Sequence, residues 1–298
     1  MNGSIERDKV KPECSAELNS LGFYPKVSGR RMKFVRIDPP GSWCSYEAVM
    51  EMLRATGGKT FLEVGCGPGD LSLKLCKEGW QGLGIDFSAQ AIQQAKANLS
   101  EYLESSRYRL VEGDISDLDS NGEKFDVGLS MMVMEHVEDD VGFLRKIVDS
   151  IKPGGHVIIA VPGRRDRWGI EDETVGHLRR YDRNDLTDAF LSAGLTEVTV
   201  WSVAVPAANL LFHFSNFFVR NSSEIDKLNQ PAREQTRTSG IREIPWKTAF
   251  PSSFKLVLNR FTLYPLFVLQ RLFYQSSLGL TMIARGKVAK PLRPLPKA

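Results

Sequence analysis

The stretch Thr-Phe-Leu-Glu-Val-Gly-Cys-Gly-Pro-Gly at residues 60–69 decides the fold of this chain. Its first half reads as a short apolar strand, and its second half places Gly65, Gly67 and Gly69 at alternate positions before a helix-like stretch that begins at Asp70. Glycine has no Cβ, so such a turn can adopt positive φ and bring backbone N–H groups against a ligand. Dinucleotide folds use Gly-x-Gly-x-x-Gly over a pyrophosphate, and here the third glycine comes one residue early. The spacing therefore argues against a dinucleotide, and the alternative to a ligand site is an ordinary tight turn.

Further strand signals follow the glycine turn in order. Gly82–Asp86 predicts a second buried strand that ends in an acid, and an acid in this place can accept hydrogen bonds from both hydroxyls of a ribose. Asp86 could at the same time cap the helix that follows it. Strands are also predicted at Tyr108–Gly113, Phe125–Ser130 and Gly155–Val161. Because strand and helix signals alternate, we expect an α/β fold with a sheet covered on both faces.

These segments together resemble the motifs of the class I S-adenosylmethionine (SAM) methyltransferases, in the branch of the ubiquinone-biosynthesis O-methyltransferases and other small-molecule methyltransferases. The resemblance implies a Rossmann-like sheet of seven strands, parallel except for an antiparallel seventh strand, that binds SAM. It also implies that the acid in Gly113-Asp114-Ile115 receives the adenine amino group. The cofactor residues expected from it are Glu63, Gly65, Cys66, Gly67, Gly69, Asp86, Phe87, Asp114, Ile115, Ser130 and Met131.

The segment Met134–Val137 resembles the Glu-His-Val segment that follows the fourth strand in ubiquinone-biosynthesis O-methyltransferases. Methyl transfer from a sulfonium is an in-line substitution, for which the protein supplies positioning and often a base. His136 is the first candidate base because its ordinary pKa lies near neutrality, with Glu135 beside it; alternatively, both only brace the turn. Some relatives bind a divalent metal through Glu-x-x-Glu-His. Met132 occupies the earlier glutamate position and is a poor ligand for a hard cation, so we expect no metal, although Glu135, His136 and His177 could converge.

The segment Gly176–Tyr181 is similar to the Gly-His-x-Arg-x-Tyr segment that follows the fifth strand in many members of the family, and its His177 is the second candidate base. The preceding loop, Pro162–Trp168, adds three arginines and an aromatic residue. Loops at the carboxyl edge of an open α/β sheet lie where ligands bind, and clustered arginines favour a carboxylate or phosphate on the acceptor. The alternative is a loop held together by salt bridges. The expected substrate contacts are Arg164, Trp168, Arg180 and Tyr181.

The last two strands of the sheet are predicted at Glu197–Val203 and Leu278–Gly286. About 70 residues lie between them, and because a structureless loop of that length is unusual in a compact domain, we expect a helical insert. The chain is accordingly divided into an N-terminal arm or lid at 1–45, a SAM-binding catalytic core at 46–205, an inserted helical cap or membrane-facing subdomain at 206–277, and the last strand with a basic tail at 278–298.

The C-terminal part of the chain is basic although the whole chain carries a net charge of only +3. No acidic residue follows Glu243, whereas nine lysines or arginines do. The apolar stretches Pro206–Val219 and Phe254–Tyr274 are interrupted by polar or charged residues, so neither is a convincing transmembrane helix. A basic, aromatic-rich helix pair suits a membrane surface or a lipidic substrate. The alternative is a helical cap that buries its apolar faces on the core.

Nucleic acid is not the expected partner. The basic residues are interleaved with large aliphatic ones, and no target-base motif such as Asn-Pro-Pro-Tyr follows the fourth strand. The four cysteines have no metal-ligand spacing, and the first residues are polar where a secretory signal needs an apolar run. We therefore expect a cytoplasmic location, with association with a membrane surface as an additional hypothesis. The sequence does not predict the oligomeric state.

The function expected from the resemblance is transfer of a methyl group from SAM to a hydroxyl of a small, hydrophobic or lipid-linked acceptor, in small-molecule biosynthesis. One alternative is an N-methyltransferase that acts on a small amine or a peptide-like natural product. A second alternative, from another class, is a non-catalytic SAM-binding subunit of a membrane-associated assembly. The complete set of cofactor motifs argues against this last alternative.

Overall fold

The computed structural model describes residues 34–118 and 122–290. Most of the predicted arm at 1–45 and the end of the basic tail lie outside these residues. The strands are β1 (Phe34–Arg36), β2 (Thr60–Val64), β3 (Gln81–Asp86), β4 (Tyr108–Glu112), β5 (Phe125–Met131), β6 (Ile151–Pro162), β7 (Leu195–Val203), β8 (Ala249–Pro251) and β9 (Thr281–Val288). The α-helices are α1 (Pro40–Arg54), α2 (Asp70–Lys77), α3 (Ala89–Asn98), α4 (Ser100–Glu104), α5 (Asp140–Asp149), α6 (Ile170–Val175), α7 (Arg183–Ser192), α8 (Ala207–Arg220), α9 (Ala232–Ser239) and α10 (Arg260–Gln270).

Seven strands form one sheet in the order β4-β3-β2-β5-β6-β9-β7. β2 to β6 pair in parallel, and β9 lies antiparallel between β6 and β7. This arrangement confirms the predicted Rossmann-like methyltransferase sheet with an antiparallel last strand. The strand order reverses direction next to β2, and open sheets of this kind bind ligands at that point, outside the carboxyl ends of the strands. The glycine turn lies there.

The two faces of the sheet carry separate apolar cores. Successive side chains of a strand point to opposite faces, so Phe61 packs with α1 and α2 whereas Leu62 packs with α5 and α7. In β6, Ile158 belongs to the first core and Ile159 to the second. Burial on both faces explains why the central strands are nearly continuous runs of apolar residues.

The first helix begins earlier than the sequence indicated. The predicted boundary of the arm at residue 45 falls inside a helix, because α1 begins at Pro40. Proline suits the first turn of a helix because its fixed φ matches the helix and its missing N–H would have no partner there. The residues before α1 form β1, which pairs antiparallel with β8 of the insert.

The insert between β7 and β9 contains α8, α9 and α10, as the predicted helical insert requires, together with the short strand β8. Fully buried Gln270, at the end of α10, holds it on the core: its Nε2 donates to the carbonyl of Cys44 in α1 at 3.0 Å, and its Oε1 accepts from the N–H of Ala204 at 2.8 Å. Within the described part of the chain, none of the helices has the length and apolar character needed to cross a bilayer.

Candidate functional site

The glycine turn after β2 has the backbone that the sequence predicts. Gly65, Gly67 and Gly69 have φ values of 75°, 53° and 82°, a region that L side chains rarely adopt. A Cβ on Gly65 would lie 2.2 Å from Cγ2 of Val133, and a Cβ on Gly69 would lie 2.5 Å from Cδ1 of Leu99. Side chains at these two positions would therefore clash as well as strain the backbone, and the turn keeps β2 close to the segment that follows β5.

Asp86 ends β3 beside this turn. Its Oδ2 accepts a hydrogen bond from the N–H of Gly67 at 2.8 Å, and its Oδ1 accepts one from the N–H of Ser88 at 2.8 Å. Two ionised carboxylate oxygens can accept about four hydrogen bonds, so Asp86 keeps acceptor capacity for ribose hydroxyls. Burial raises the pKa of Asp86, which the two backbone hydrogen bonds partly oppose.

A cleft of about 1390 Å³ opens at this edge of the sheet. Nine of the eleven predicted cofactor residues line it: Glu63, Gly65, Cys66, Gly67, Asp86, Phe87, Asp114, Ile115 and Met131. The other two support the site from behind. Gly69 packs on Leu99, and fully buried Ser130 donates its hydroxyl to the carbonyl of Val64 at 2.8 Å. The direct cofactor contact predicted for Ser130 is thus replaced by a bond that joins β5 to β2.

Glu63 lies beneath the turn in a network that the sequence did not indicate. The hydroxyl of Ser72 donates to Oε2 of Glu63, and the hydroxyls of Ser72 and Tyr108 lie 2.7 Å apart. Among the described residues, no cationic side chain takes part in this network. Burial therefore raises the pKa of Glu63 to about 8, although the bond from Ser72 opposes the shift.

The predicted catalytic residues Glu135, His136 and His177 come together opposite the glycine turn. Glu135 and His136 lie on the single 3-10 turn after β5, and His177 follows α6. The N–H of Leu178 donates to the carbonyl of Glu135 at 2.9 Å and fixes the two segments side by side. The two imidazole rings are 4.8 Å apart, and Nε2 of His177 lies 3.5 Å from Oε1 of Glu135.

Hydrogen-bond contacts at Nδ1 orient both histidine rings. Nδ1 of His177 lies 2.8 Å from Oδ1 of Asp172, and Nδ1 of His136 lies 3.1 Å from the carbonyl of Gly176. Since an ionised carboxylate only accepts, Nδ1 of His177 carries a proton, and Nε2 of the neutral ring has a free lone pair. Nδ1 of His136 lies between the carbonyl of Gly176 and the hydroxyl of Thr236, which can donate or accept. Burial and the neighbouring His177 lower the pKa of His136 to about 4, so His136 is a weak base.

Asp172 was not predicted as a site residue. It is completely buried and also accepts a hydrogen bond from Nε of Arg180 at 2.8 Å. Its bonds to His177 and Arg180 outweigh the effect of burial and lower its pKa, so Asp172 is ionised. The sequence held a signal that could have found it, because it lies five residues before His177 in an acidic stretch that reads as a single helical turn.

The carboxylate of Glu135 is completely buried, and neither of its oxygens has a hydrogen-bond partner among the described residues. Burial raises its pKa to about 7, and His177 opposes the shift. The ligand atoms of Glu135, His136 and His177 all lie within 4.8 Å of one another. A carboxylate and two imidazoles are suitable ligands for a divalent cation, and the bond from His177 to Asp172 is the support that metal-bound histidines usually have. The residues present therefore fit a metal ion. The expectation of no metal rested on Met132 alone, and the convergence of Glu135, His136 and His177 does not support it.

Most of the predicted substrate contacts do not line the cleft. Arg180 lines the cleft but donates to Asp172 and to the carbonyl of Gly163 at 2.9 Å. Arg164 pairs with Asp166, the hydroxyl of Tyr181 donates to Asp140 at 2.9 Å, and Trp168 is 43% exposed; these three predicted contacts do not line the cleft. The structure thus agrees with the alternative of a loop held by salt bridges, because Arg164 and Arg167 pair with Asp166 and Arg165 pairs with Asp185 of α7.

The insert builds the wall of the cleft that faces the predicted catalytic residues, and this wall was not predicted residue by residue. Its apolar members are Leu211, Phe212, Phe214 and Phe218 of α8, with Phe250, Phe254 and Leu258 further along the insert. Thr236 of α9 reaches His136, with its Oγ1 3.0 Å from Nδ1. The apolar stretch at Pro206–Val219 was the signal for this wall, but its inward face could not be distinguished from its outward face.

A cluster of charges joins the insert to α6. Glu171 accepts hydrogen bonds from Arg242 at 2.5 Å, from Lys247, and from the hydroxyl of Ser215 at 3.1 Å. The two cations lower the pKa of Glu171 far enough to outweigh burial. Burial lowers the pKa of Lys247 to about 8 despite its pair with Glu171. All three of these charged residues line the cleft, and two of them are cations whereas one is an anion.

Comparisons with known proteins agree with the fold and with a methyltransferase domain. The model of the methyltransferase domain family matches residues 62–159. The ubiquinone biosynthesis O-methyltransferase of Serratia proteamaculans is 34% identical over 119 residues, which are 39% of this chain and 49% of the relative. The protein of the same name from Aliivibrio fischeri is 26% identical over 203 residues, or 66% of this chain and 73% of the relative. The match thus spans about half the length of the first relative.

A solved structure shows how far the similarity of the fold extends. The phosphoethanolamine N-methyltransferase 2 of Haemonchus contortus, in complex with S-adenosylhomocysteine, superimposes with a TM-score of 0.52 at 17% identity, covering 85% of this chain and 54% of that chain. At this identity the likeness concerns the fold alone. It includes most of the chain, whereas the family model stops near the end of β6.

Proposed function

We propose that this chain, whose residues 62–159 form a SAM-dependent methyltransferase domain, moves the methyl group of SAM to a hydroxyl of a hydrophobic acceptor. One observation carries the proposal. The cleft has the glycine turn and Asp86 on one side, His177 held by Asp172 on the other, and an apolar wall from the insert over both. In this proposal the cofactor site, the base and the acceptor site are neighbours in one cavity.

The base in this proposal is His177. Its Nε2 takes the proton of the acceptor hydroxyl while the oxygen attacks the methyl carbon, and S-adenosylhomocysteine leaves with the sulfur electron pair. Asp172 holds the Nδ1 proton and stabilises the imidazolium that forms, as the aspartate of a catalytic triad does. His136 is less suitable as the base because its pKa is lowered to about 4.

A divalent cation held by Glu135, His136 and His177 would supply a different activation, since it would lower the pKa of a hydroxyl that binds to it. Among the chain's own residues, Glu135 would neutralise part of the cation's charge and Asp172 would hold His177 in the ligating tautomer. The two modes are distinguished by a chelator, which abolishes turnover only if a cation is needed.

The similarity to ubiquinone biosynthesis O-methyltransferases and the base together favour a hydroxyl acceptor over an amine. An amine acceptor that arrives neutral needs no base, so an oriented His177–Asp172 pair would have no role in it. A non-catalytic SAM-binding subunit would not need the pair either. The apolar wall of α8 favours an acceptor with a hydrophobic substituent.

Transfer of labelled methyl from SAM to catechol and to catechols with alkyl chains of increasing length tests the proposal. We expect transfer to oxygen, with KM falling as the chain lengthens, and a loss of kcat in His177→Gln at unchanged SAM affinity. His156→Gln, which changes a histidine outside the cleft, is the matched control. Equal turnover of His177→Gln and the parent, or methylation of amine analogues alone, would overturn the proposal.

A further inference from the structure

We propose that the insert docks the protein on an anionic lipid bilayer and that the acceptor enters the cleft directly from that bilayer. The second half of this statement rests on the proposed function. The evidence is a set of large apolar side chains, called here the insert face, that are exposed on α8, on α10 and on the segments beside α10. Its members are Leu210, Leu211, Phe214, Phe217, Leu256, Val257, Phe261, Tyr264, Val268, Leu269 and Leu272.

The exposure follows from how the helices pack. α10 buries Leu263, Phe267 and Gln270 at helical spacing and leaves Phe261 and Tyr264 outside. Its inner side chains pack on α1, where Phe267 contacts the ring of Trp43 and Gln270 bonds to Cys44. A helix that is apolar on both sides has a second surface to cover. In α10 the described residues cover only the inner one.

α8 repeats this arrangement. Its first turn packs on α1, since Gly41 lies directly against Ala208. Leu210, Phe214 and Phe217 follow one another at spacings of four and three residues and are exposed. Monomeric proteins rarely expose large contiguous apolar patches, and when they do the patch usually marks an interaction surface.

The charge around the insert face indicates which surface it meets. Leu256 and Phe261 are its most exposed members, at 81% and 84%, and they are flanked by the exposed cations Lys255 and Arg260. No acidic residue occurs anywhere after Glu243. Arg271, beside α10, pairs with Glu51 of α1, whereas Lys255 and Arg260 have no carboxylate within ion-pair distance among the described residues. Apolar side chains beside such cations bind bilayers that contain anionic lipids, because the side chains enter the headgroup boundary while the cations meet the lipid charge.

The insert face is continuous with the cleft at two places. Leu211 and Phe214 are exposed and also line the cleft. Phe254 and Leu258 line the cleft on either side of exposed Leu256 and Val257. A lipid-linked acceptor can therefore pass from the bilayer to the cleft along apolar side chains, without transfer through water.

Co-sedimentation with vesicles tests this inference. We expect the full chain to bind phosphatidylcholine vesicles that contain a third of phosphatidylglycerol, and to bind pure phosphatidylcholine at least tenfold more weakly. The double variant Leu256→Ser/Phe261→Ser should lose at least tenfold in affinity for the anionic vesicles. The control is Leu191→Ser, which removes a leucine that is 54% exposed on α7 and does not belong to the insert, and it should bind as the parent does.

A second pair of variants tests the charges. Lys255→Gln/Arg260→Gln should weaken binding to anionic vesicles at low salt, whereas Lys96→Gln, an exposed lysine of α3, should not. Absence of binding by the parent, or equal binding by Leu256→Ser/Phe261→Ser, overturns the inference. Self-association that Phe261→Ser abolishes, with no vesicle binding, assigns the insert face to a second copy of the chain and also overturns it.

Two further readouts separate this inference from the proposed function. SAM affinity measured by calorimetry should be the same in all these variants, since none of the changed residues contacts the glycine turn. A protein that binds anionic vesicles but transfers no methyl group to any catechol refutes the proposed function and retains the docking surface. A protein that methylates short-chain catechols but ignores vesicles refutes the docking surface alone.

Discussion

At the scale of single residues, Asp172 determines what His177 can do. It accepts a hydrogen bond from Nδ1 of His177 and another from Nε of Arg180, and it is completely buried. Two neighbouring cations or potential cations explain why its pKa is lowered in spite of burial. The site thus contains one carboxylate that is ionised, Asp172, beside one whose pKa is raised to about 7, Glu135.

Asp172→Asn keeps the shape of this side chain and removes its charge. We expect kcat to fall by about 100-fold or more, because the amide can hold the imidazole in the wrong tautomer and no longer stabilises its protonated form. Steady-state kinetics and calorimetric titration with SAM check the prediction, with Asp188→Asn on the exposed side of α7 as the control. A parallel loss of SAM affinity would show that Asp172 acts only as a structural residue.

Glu63 gives the free protein a pH-dependent stability. The pKa of Glu63 is raised from 4.5 to about 8 in the folded chain, so between these values the folded state keeps a proton that the unfolded chain has released. Stability must therefore decrease as the pH rises through this interval. We expect Glu63→Gln, which mimics the protonated acid, to reduce this decrease.

Urea unfolding between about pH 5 and pH 8 in the absence of SAM measures the effect. Glu104→Gln, at an exposed end of α4, is the matched control and should follow the parent. A slope that is the same in the parent and in Glu63→Gln would contradict the assignment of the raised pKa to Glu63.

At the scale of the elements, the charge cluster between α6 and the insert explains how the two stay together. Glu171 is the carboxylate that both Arg242 and Lys247 contact. Its replacement by Gln leaves two partly buried cations facing each other, and removing one partner of a buried pair is more costly than the pair's net contribution. We expect Glu171→Gln to lower the free energy of unfolding by about 2 to 3 kcal/mol.

Equilibrium unfolding in urea checks this value, and Glu234→Gln provides the comparison because Glu234 pairs with Arg237 at the surface of α9. Exposed pairs contribute between about 0 and 1 kcal/mol, so the control should change little. A loss below about 0.5 kcal/mol in Glu171→Gln would mean that the cluster does not hold the insert on α6.

The elements that the sequence predicted well are those with a local physical signature. The glycine turn needs positive φ at Gly65, Gly67 and Gly69, and the central strands need continuous apolar runs, so both appear in the sequence. β1 and β8 have three residues each and pair across more than 200 positions, so no local pattern could indicate them. The predicted boundary of the arm at residue 45 lies inside α1, since Pro40 occupies the first turn of the helix and a proline can begin a helix as well as interrupt one.

The site residues likewise divide into those that a local sequence pattern indicates and those that depend on the folded structure. His136, His177 and Glu135 could be found because they belong to short segments that resemble a family, and the structure brings them together. Ser130 was expected at the cofactor, but the side on which a strand residue faces depends on the sheet, and its hydroxyl bonds to Val64 instead. Arg164 was expected at the substrate because its charge is visible in the sequence while its pair with Asp166 is not.

At the scale of the whole molecule, the chain is a seven-stranded sheet whose cleft is covered by one long insertion between β7 and β9. The sheet residues hold the cofactor half of the cleft, and the insert residues form the wall where the acceptor is proposed to bind. The insert also carries the exposed apolar face. Cofactor binding and membrane docking are therefore expected to be separable properties, because they depend on different residues, those of the sheet edge and those of the insert.

The central claim is that the cleft at β2 and β3 binds SAM through Asp86. Calorimetric titration with SAM and with S-adenosylhomocysteine, in the parent, in Asp86→Ala and in the exposed control Asp188→Ala, tests it most directly. We expect binding in the micromolar range by the parent and the control, and a loss of at least 100-fold in Asp86→Ala, about 2.7 kcal/mol, because the ribose loses an ionised acceptor. Equal binding by Asp86→Ala, or no binding by the parent, would contradict the claim.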